Sequence, residues 1–418
     1  MRILMLEHSY PPDVGGCAVA CQSMAEGLAN RGHSVAVVTS CIEGAEDSPG
    51  AVRVLRELAA TPARPVSRRL FGWAYRRWHN GQTLRRWIRE LRPDLLMVWN
   101  LWRYSDQILI HAQNAGVPLV YYIHDGWLIP NRLARWRAFW TRRPERADLR
   151  LVKSMLIHLG IHTCVELLLS RWLRGGPTRP TAGEAVFVSE SCRQEYIDAG
   201  FRVAGAPVVP NGIDLTVFHP AEGDRKPESE LRLLYMGRIE PLKGVEILVR
   251  ALASLGAEVR PWRLDLVGPV EWPSYRERIL ADAYRAGVAS RVRFLGPMNP
   301  KRTPDCYRSH NVLVFPSVGT ERMPLVILEA MASGVPVVTT LTGGHASFLE
   351  DGRNCLVARA GDPAHLGAQL RRLMSDTTLR ESLATAALDT VRQRFSAGRV
   401  QPHMEVLLER HLEARCWS

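Results

Sequence analysis

Short apolar runs, almost unbroken by polar residues, recur along this chain at intervals filled by helix-type patterns, and that alternation constrains its fold more than any other feature. Arg2–Leu6 precedes a helical stretch over Cys17–Arg31; Ser34–Thr39, Leu95–Trp99, Val117–Ile123 and Ala185–Val188 follow. Strands apolar on both faces belong to parallel sheets with crossover helices on each side. Gly32, directly after Arg31, reads as a helix stop. The alternation lapses once, where Val208-Val209-Pro210-Asn211-Gly212-Ile213-Asp214, Phe218-His219-Pro220 and a polar stretch to Glu230 gather turn residues. It then restarts with Leu231–Met236, a helix from about Val245, Arg263–Val267, a helix near Tyr275–Ala286, Val292–Leu295, Val312–Phe315, Leu325–Ser333 and Val335–Thr339. From Pro363 onward the pattern is helical. The expected class is α/β, with two Rossmann-like, doubly wound domains. A length of 418 residues suits two cores better than one. The expected boundaries are an N-terminal domain over 1–207, a C-terminal domain over 208–395, and a last helix over 396–418 able to pack back on the first domain.

Charge is concentrated. The net charge is +12, yet residues 64–92 hold nine arginines against one glutamate, and residues 131–180 hold eleven Arg or Lys against three acids. The rest of the chain is slightly acidic. Such cationic segments suit an anionic surface, whether phospholipid headgroups, nucleic acid or a phosphorylated substrate, and composition does not choose among them. Within 151–173, Ser154, His158, His162, Glu166 and Ser170 recur every fourth position, which makes an amphipathic helix rather than a membrane span. With the Arg-rich, Trp-containing flank at Arg132–Arg143, it suits a bilayer surface, and a helical insertion about 131–180 packed on its own domain fits equally well. The eight cysteines form no Cys-x-x-Cys pair, which fits reduced thiols and neither zinc nor redox chemistry. Met-Arg-Ile-Leu-Met-Leu turns polar at Glu7 and His8, too short an apolar run for a signal peptide.

The residues with chemistry lie beyond strand ends, where open parallel sheets bind ligands. After Val312–Phe315 come Pro316-Ser317, then Glu321, and a helix opening near Pro324-Leu325 that carries Glu329 about one turn inside. Its first backbone N–H groups and positive dipole end suit a phosphate. Glu321 and Glu329 can line one groove and accept hydrogen bonds from sugar hydroxyls. A lone pair at this spacing is otherwise an ordinary loop acid and a solvated helix acid. Arg238 and Lys243, five residues apart in Gly237-Arg-x4-Lys-Gly244, follow the first strand of the same half and supply the countercharge a diphosphate needs.

Together, Gly-Arg-x4-Lys-Gly and Pro-Ser-x3-Glu-x7-Glu-Ala-Met-Ala-x-Gly-x-Pro-Val-Val resemble the retaining glycosyltransferases of family 4, also called glycosyl transferases group 1, whose fold is GT-B, two such domains facing across a cleft. The likeness extends through Tyr10-Pro11-Pro12-Asp13-Val14-Gly15-Gly16, Arg31-Gly32-His33, His124-Asp125 and Val209–Asp214. The resemblance implies that Arg238 and Lys243 hold the donor diphosphate, that Glu321 binds donor-sugar hydroxyls, and that Met323, Pro324, Leu325 and Val326 surround sugar and phosphate. It implies that Glu329 grips the ribose, that Gly15 and Gly16 form a loop approaching donor or acceptor, and that His124 lies near the transferred sugar. Asp125 is expected to orient His124 or an acceptor hydroxyl.

The implied activity is retaining transfer of a hexose-type sugar from a UDP- or GDP-linked nucleotide-sugar to a glycan or lipid-linked acceptor in cell-surface polysaccharide or glycolipid synthesis. The leaving phosphate takes the acceptor proton, so no base, cofactor or metal is expected, and no Asp-x-Asp occurs. The expected place is cytoplasmic, peripheral at the inner face of an anionic membrane, with no nucleic-acid partner. A sugar-nucleotide epimerase or hydrolase of the same fold is the nearest rival. A catalytically silent membrane- or nucleic-acid-binding homologue is another. A nicotinamide-linked oxidoreductase fits poorly, because Glu7-His8-Ser9-Tyr10 stands where Gly-x-Gly-x-x-Gly would be needed. Two departures from the family pattern stand out: Pro269 follows Gly268, and Arg322-Met323-Pro324 replaces the small residues usual after the first acid.

Overall fold

The first apolar run becomes the centre of a sheet. A computed structural model of the protein describes residues 1–12, 15–41, 50–59, 69–102, 104, 107–129, 180–221, 230–255 and 260–416. The helical insertion about 131–180, all but its last residue, and the amphipathic pattern at 151–173 lie outside the described residues, as does 64–68 of the first basic segment.

Strands β1 (Arg2–Leu6), β2 (Ser34–Ser40), β3 (Val52–Leu58), β4 (Leu95–Val98), β5 (Leu119–Ile123) and β6 (Ala185–Phe187) form one parallel sheet in the order β3-β2-β1-β4-β5-β6. Strands β7 (Leu231–Met236), β8 (Trp262–Val267), β9 (Val292–Gly296), β10 (Val312–Phe315), β11 (Val337–Thr339) and β12 (Leu356–Val357) form a second, in the order β12-β11-β10-β7-β8-β9. Each half therefore winds outward in both directions from its first strand. The direction reverses between β1 and β4 in one domain and between β7 and β10 in the other. A crevice opens at such a switch point, and the residues after those strands line it.

The inner strands read as unbroken apolar runs because both faces are covered: every residue of β4, β5 and β10 is buried. The sequence reading does not include β3, whose Val-Arg-Val-Leu-Arg-Glu-Leu alternates as an edge strand does, or β12, which is two residues long.

The chain leaves the first sheet where Val208 pairs with Phe187, and Ile213 then pairs with Ser396, beside the point where the chain returns. The returning helix, Ala397–Cys416, lies on the first helix of the N-terminal half, Gly16–Asn30. Glu405 takes Arg31 and His33, the latter at 2.7 Å, and the Gln401 amide donates to the Ser23 carbonyl at 3.0 Å. Gly27 leaves room for that contact, since a Cβ there would stand 2.1 Å from the Gln401 amide.

Candidate active site

The loops after β7 and β10 interlock at the switch point of the second sheet. Gly244 has φ 71°, and a Cβ there would lie 2.1 Å from the Pro316 carbonyl oxygen, so only glycine permits the approach. The N–H groups of Val318 and Gly319 both donate to the Leu242 carbonyl at 2.9 Å. The result brings Lys243 to Glu321 although 78 residues separate them: Nζ stands 2.5 Å from Oε1. The buried Ser317 hydroxyl lies 2.5 Å from the same carboxylate oxygen, and Lys243 Nζ is 5.6 Å from the Phe315 ring centre. Arg238 takes a different partner, Glu240, at 3.1 Å, and keeps 58% of its side chain exposed. Both cations thus rest on carboxylates of their own domain, one enclosed and one facing solvent.

Glu329 sits in the second turn of the helix Leu325–Ala332 and is buried rather than solvated. Its partner is the Tyr307 hydroxyl, which donates to Oε2 at 2.8 Å. Burial with no cation beside it pushes its carboxyl up to about 7. Tyr307 is itself fixed. Just beyond its helix, Thr303–Arg308, His310 Nε2 stands 3.2 Å from Asp265 in β8 and Nδ1 stands 2.6 Å from the Cys306 carbonyl. Arg293 closes a two-pronged pair on Asp265 at 2.6 and 2.7 Å. The helix begins at Leu325, with Pro324 as its extended N-cap (φ −69°, ψ 115°) rather than inside the first turn. Just ahead of that cap, the Met323 carbonyl is taken by the Asn211 side-chain amide at 3.0 Å.

On the facing domain, Gly15 caps the first helix and Gly16 opens it, and a Cβ on either would meet nothing within 4 Å. The two glycines leave open space in front of the helix. His124, just past β5, stacks on Trp99 (centroids 4.9 Å, 23°) and meets the edge of Tyr122 at 4.3 Å. Burial drives its imidazole down to about 3, so it is neutral, and its buried Nε2 has no partner among the described residues. Asp125 does not orient it. One Asp125 oxygen accepts from Asn100 and from the Trp102 indole N–H at 3.0 Å, and the other accepts from the Trp127 N–H at 2.9 Å. Among the described residues no three His, Cys, Asp or Glu side chains converge as a metal site would require.

The sequence and the fold match known proteins. The model described as Glycosyltransferase Family 4 matches residues 14–217, and the one described as Glycosyl transferases group 1 matches 230–376. The chain belongs to glycosyltransferase family 4. A D-inositol 3-phosphate glycosyltransferase of Streptomyces bingchenggensis is 31% identical over 290 residues, 63% of this chain and 59% of that one. An uncharacterized glycosyltransferase of Methanocaldococcus jannaschii is 25% identical over 412 residues, 95% of both chains. The chain spans about half the length of the D-inositol 3-phosphate glycosyltransferases it matches, 41% to 59% of the first seven. Among solved structures, sucrose-phosphate synthase from Thermosynechococcus elongatus superposes with TM-score 0.74 at 21% identity, covering 99% of each chain. Anabaena HepE in complex with UDP and glucose gives 0.67 at 20% identity, over 98% of this chain and 99% of that one. These likenesses establish the GT-B fold.

Both departures from the family 4 pattern acquire a physical setting. A Cβ on Gly268, at φ 135°, would lie 2.0 Å from the Gly237 carbonyl, so the loop after β8 needs this one glycine to pack under the Arg238 loop, and Pro269 follows without conflict. Arg322 turns away from Glu321 toward the facing domain and meets Glu195 at 2.7 Å. Ser317, Tyr307, Asn100 and Glu195 are the partners that the sequence reading lacked.

Proposed function

We propose that this family 4 member is a retaining glycosyltransferase that moves a hexose-type sugar from a UDP- or GDP-linked donor to a glycan or lipid-linked acceptor. The enclosed Lys243–Glu321 pair at the switch point of the second sheet carries this reading. A cation held against an acid suited to sugar hydroxyls fits a sugar–phosphate bond, and the helix Leu325–Ala332, whose N-terminus suits a phosphate, opens four residues after Glu321. In the reaction, the bond from the anomeric carbon to the nucleotide phosphate breaks, and a bond to the acceptor oxygen forms on the same face. The acceptor proton passes to the departing phosphate. Lys243 and Arg238 stabilise the charge that grows there, and a neutral His124 is suited to accept a hydrogen bond near the sugar without adding charge. Expected synthesis of cell-surface polysaccharide or glycolipid follows from the acceptor class. HepE, solved with UDP-glucose, favours a UDP donor among the alternatives.

Thermal-shift screening of UDP-, GDP- and ADP-sugars tests the donor half. At 100-fold Kd a ligand stabilises the native state by about 2.7 kcal/mol, a rise of roughly 5–10 °C in a domain this size. We expect one nucleotide class to give that rise, equally in EDTA, because Arg238 and Lys243 are read as supplying the countercharge a metal would. No shift from any of the three would refute the donor site, and a shift abolished by EDTA would refute metal independence.

The proposed location is the cytoplasmic face of an anionic membrane. The helix Arg69–Leu91 exposes Tyr75 (56%) and Trp78 (62%) one turn apart, with exposed Arg85 and Arg89 continuing the same face. Aromatic rings flanked by arginines suit an interface of headgroups. Flotation with anionic liposomes is expected at low salt and to vanish at high salt; absence of the protein from the floated fraction at low salt would sink the membrane assignment alone. Among the described residues no helix is long and apolar enough to cross a membrane.

A further inference from the structure

The segment from Glu321 to Met323 is held by both domains. On its own side, Gly344 N–H donates to the Glu321 carbonyl at 2.7 Å and Glu321 N–H donates to the Thr342 carbonyl at 3.2 Å. The fit has no slack: a Cβ on Gly343 would stand 1.8 Å from the Glu321 oxygen, and one on Gly344 would stand 1.7 Å from the Arg322 oxygen. On the other side of Gly344 lies Ser189, the N-cap of the helix Glu190–Asp198 in the facing domain, whose Oγ would be 2.6 Å from the same Cβ. Asn211 holds the Met323 carbonyl. Arg322 completes the clamp, its Nε and Nη2 donating to Glu195 Oε2 at 3.1 and 2.7 Å, while Nη2 would lie 3.1 Å from a Cβ on Gly126. Only about a quarter of either side chain is exposed. An enclosed charge left alone by loss of its partner is costly, so this pair resists separation more than a surface pair does.

We propose that Arg322 is a positioning residue: its ion pair with Glu195 fastens the loop bearing Glu321 to the acceptor-side domain, so that closing the cleft and setting Glu321 are one event. This rests on the reading of Glu321 as the donor-sugar acid. A small residue at this position would leave the loop without its ion pair to the facing domain. Nucleotide contacts through Glu329 and Lys243 belong to the C-terminal domain and do not depend on the pair.

The test uses the full chain with Arg322→Ala, Glu195→Gln, and the exchanged pair Arg322→Glu with Glu195→Arg. Small-angle scattering of the unliganded protein gives the domain separation. Calorimetry with UDP and GDP gives nucleotide affinity, and hydrolysis of UDP-glucose and GDP-mannose gives turnover. The single variants are expected to enlarge the radius of gyration and lower kcat by roughly tenfold to a hundredfold, the scale of a misplaced reacting group. Nucleotide affinity should stay within about twofold, and the exchanged pair should recover both separation and turnover. Glu195→Gln, nearly isosteric, carries the test if another variant fails to fold. Single variants with wild-type scattering and turnover, or an equal loss of nucleotide affinity and kcat, would overturn the proposal. If the wild type binds neither UDP nor GDP, the donor reading fails while scattering still decides the clamp.

Discussion

A Lys243→Ala variant is expected to lower kcat for sugar transfer by roughly 10²–10³-fold, the scale of losing one preorganised donor to a developing oxyanion, with a smaller rise in KM. The difference follows from where the charge appears. The diphosphate is already anionic when bound, but the phosphate that leaves gains further charge as the glycosidic bond breaks, and Lys243 Nζ, 2.5 Å from Glu321, stands at that bond in the proposed pose. Arg238, more exposed and paired with Glu240, cannot replace a cation enclosed against Phe315. Glu321→Gln separates binding from chemistry. It frees Lys243 from its resting partner, so free nucleoside diphosphate should bind as well or better while sugar transfer falls. Steady-state kinetics with the donor found by thermal shift, and calorimetry with its nucleoside diphosphate, make the comparison. A Lys243→Ala kcat within threefold of wild type would remove the residue from the catalytic site.

The legibility of this chain follows the physics of burial. Inner strands could be read because two covered faces demand apolar residues at every position, as Leu95–Val98 and Val312–Phe315 show. An edge strand such as Val52–Leu58 keeps one side partly wet and loses that signature. Glu321, Glu329, Arg238 and Lys243 could be placed beyond strand ends because the helix and strand patterns around them are strong. Their partners could not. Lys243 reaches Glu321 through a left-handed glycine fitted against Pro316, a contact between distant loops that no local spacing encodes. Tyr307 lies on a helix of six residues, too short to announce which face points to Glu329. Arg322 reads in sequence only as a departure, because its direction is set by a helix of the other domain. The stacking of His124 on Trp99 and against the edge of Tyr122, with Asp125 drawn to Asn100 and Trp102, likewise depends on two strand ends meeting.

Nucleotide affinity is expected to weaken as pH falls below 7, by up to about tenfold per unit, because a ribose diol donates to the carboxylate of Glu329 and not to its acid form. Burial pushes this carboxyl up to about 7, and the Tyr307 hydroxyl only partly offsets that. The sign for stability is opposite. A folded value above the ordinary one means the native state holds the proton more tightly than the unfolded chain. The stability it contributes is complete below pH 4.5, and it is lost as pH rises through 7, a loss on the order of 3 kcal/mol. Glu329→Gln should therefore raise Tm at pH 8 relative to wild type, flatten the pH dependence of nucleotide binding, and weaken binding at pH 8. Glu329→Ala should remove most turnover. Tyr307→Phe removes a hydroxyl that eases ionisation and should move the midpoint of the binding profile upward, while the ring keeps its edge contact with Phe218. Calorimetric titration of the nucleotide from pH 5.5 to 8.5, alongside thermal unfolding at the same pH values, measures both slopes. A Gln variant with wild-type affinity and an unchanged profile would show that the ribose is held elsewhere, since a site that uses the Glu329 charge must gain affinity over the same pH range in which the unliganded fold loses stability.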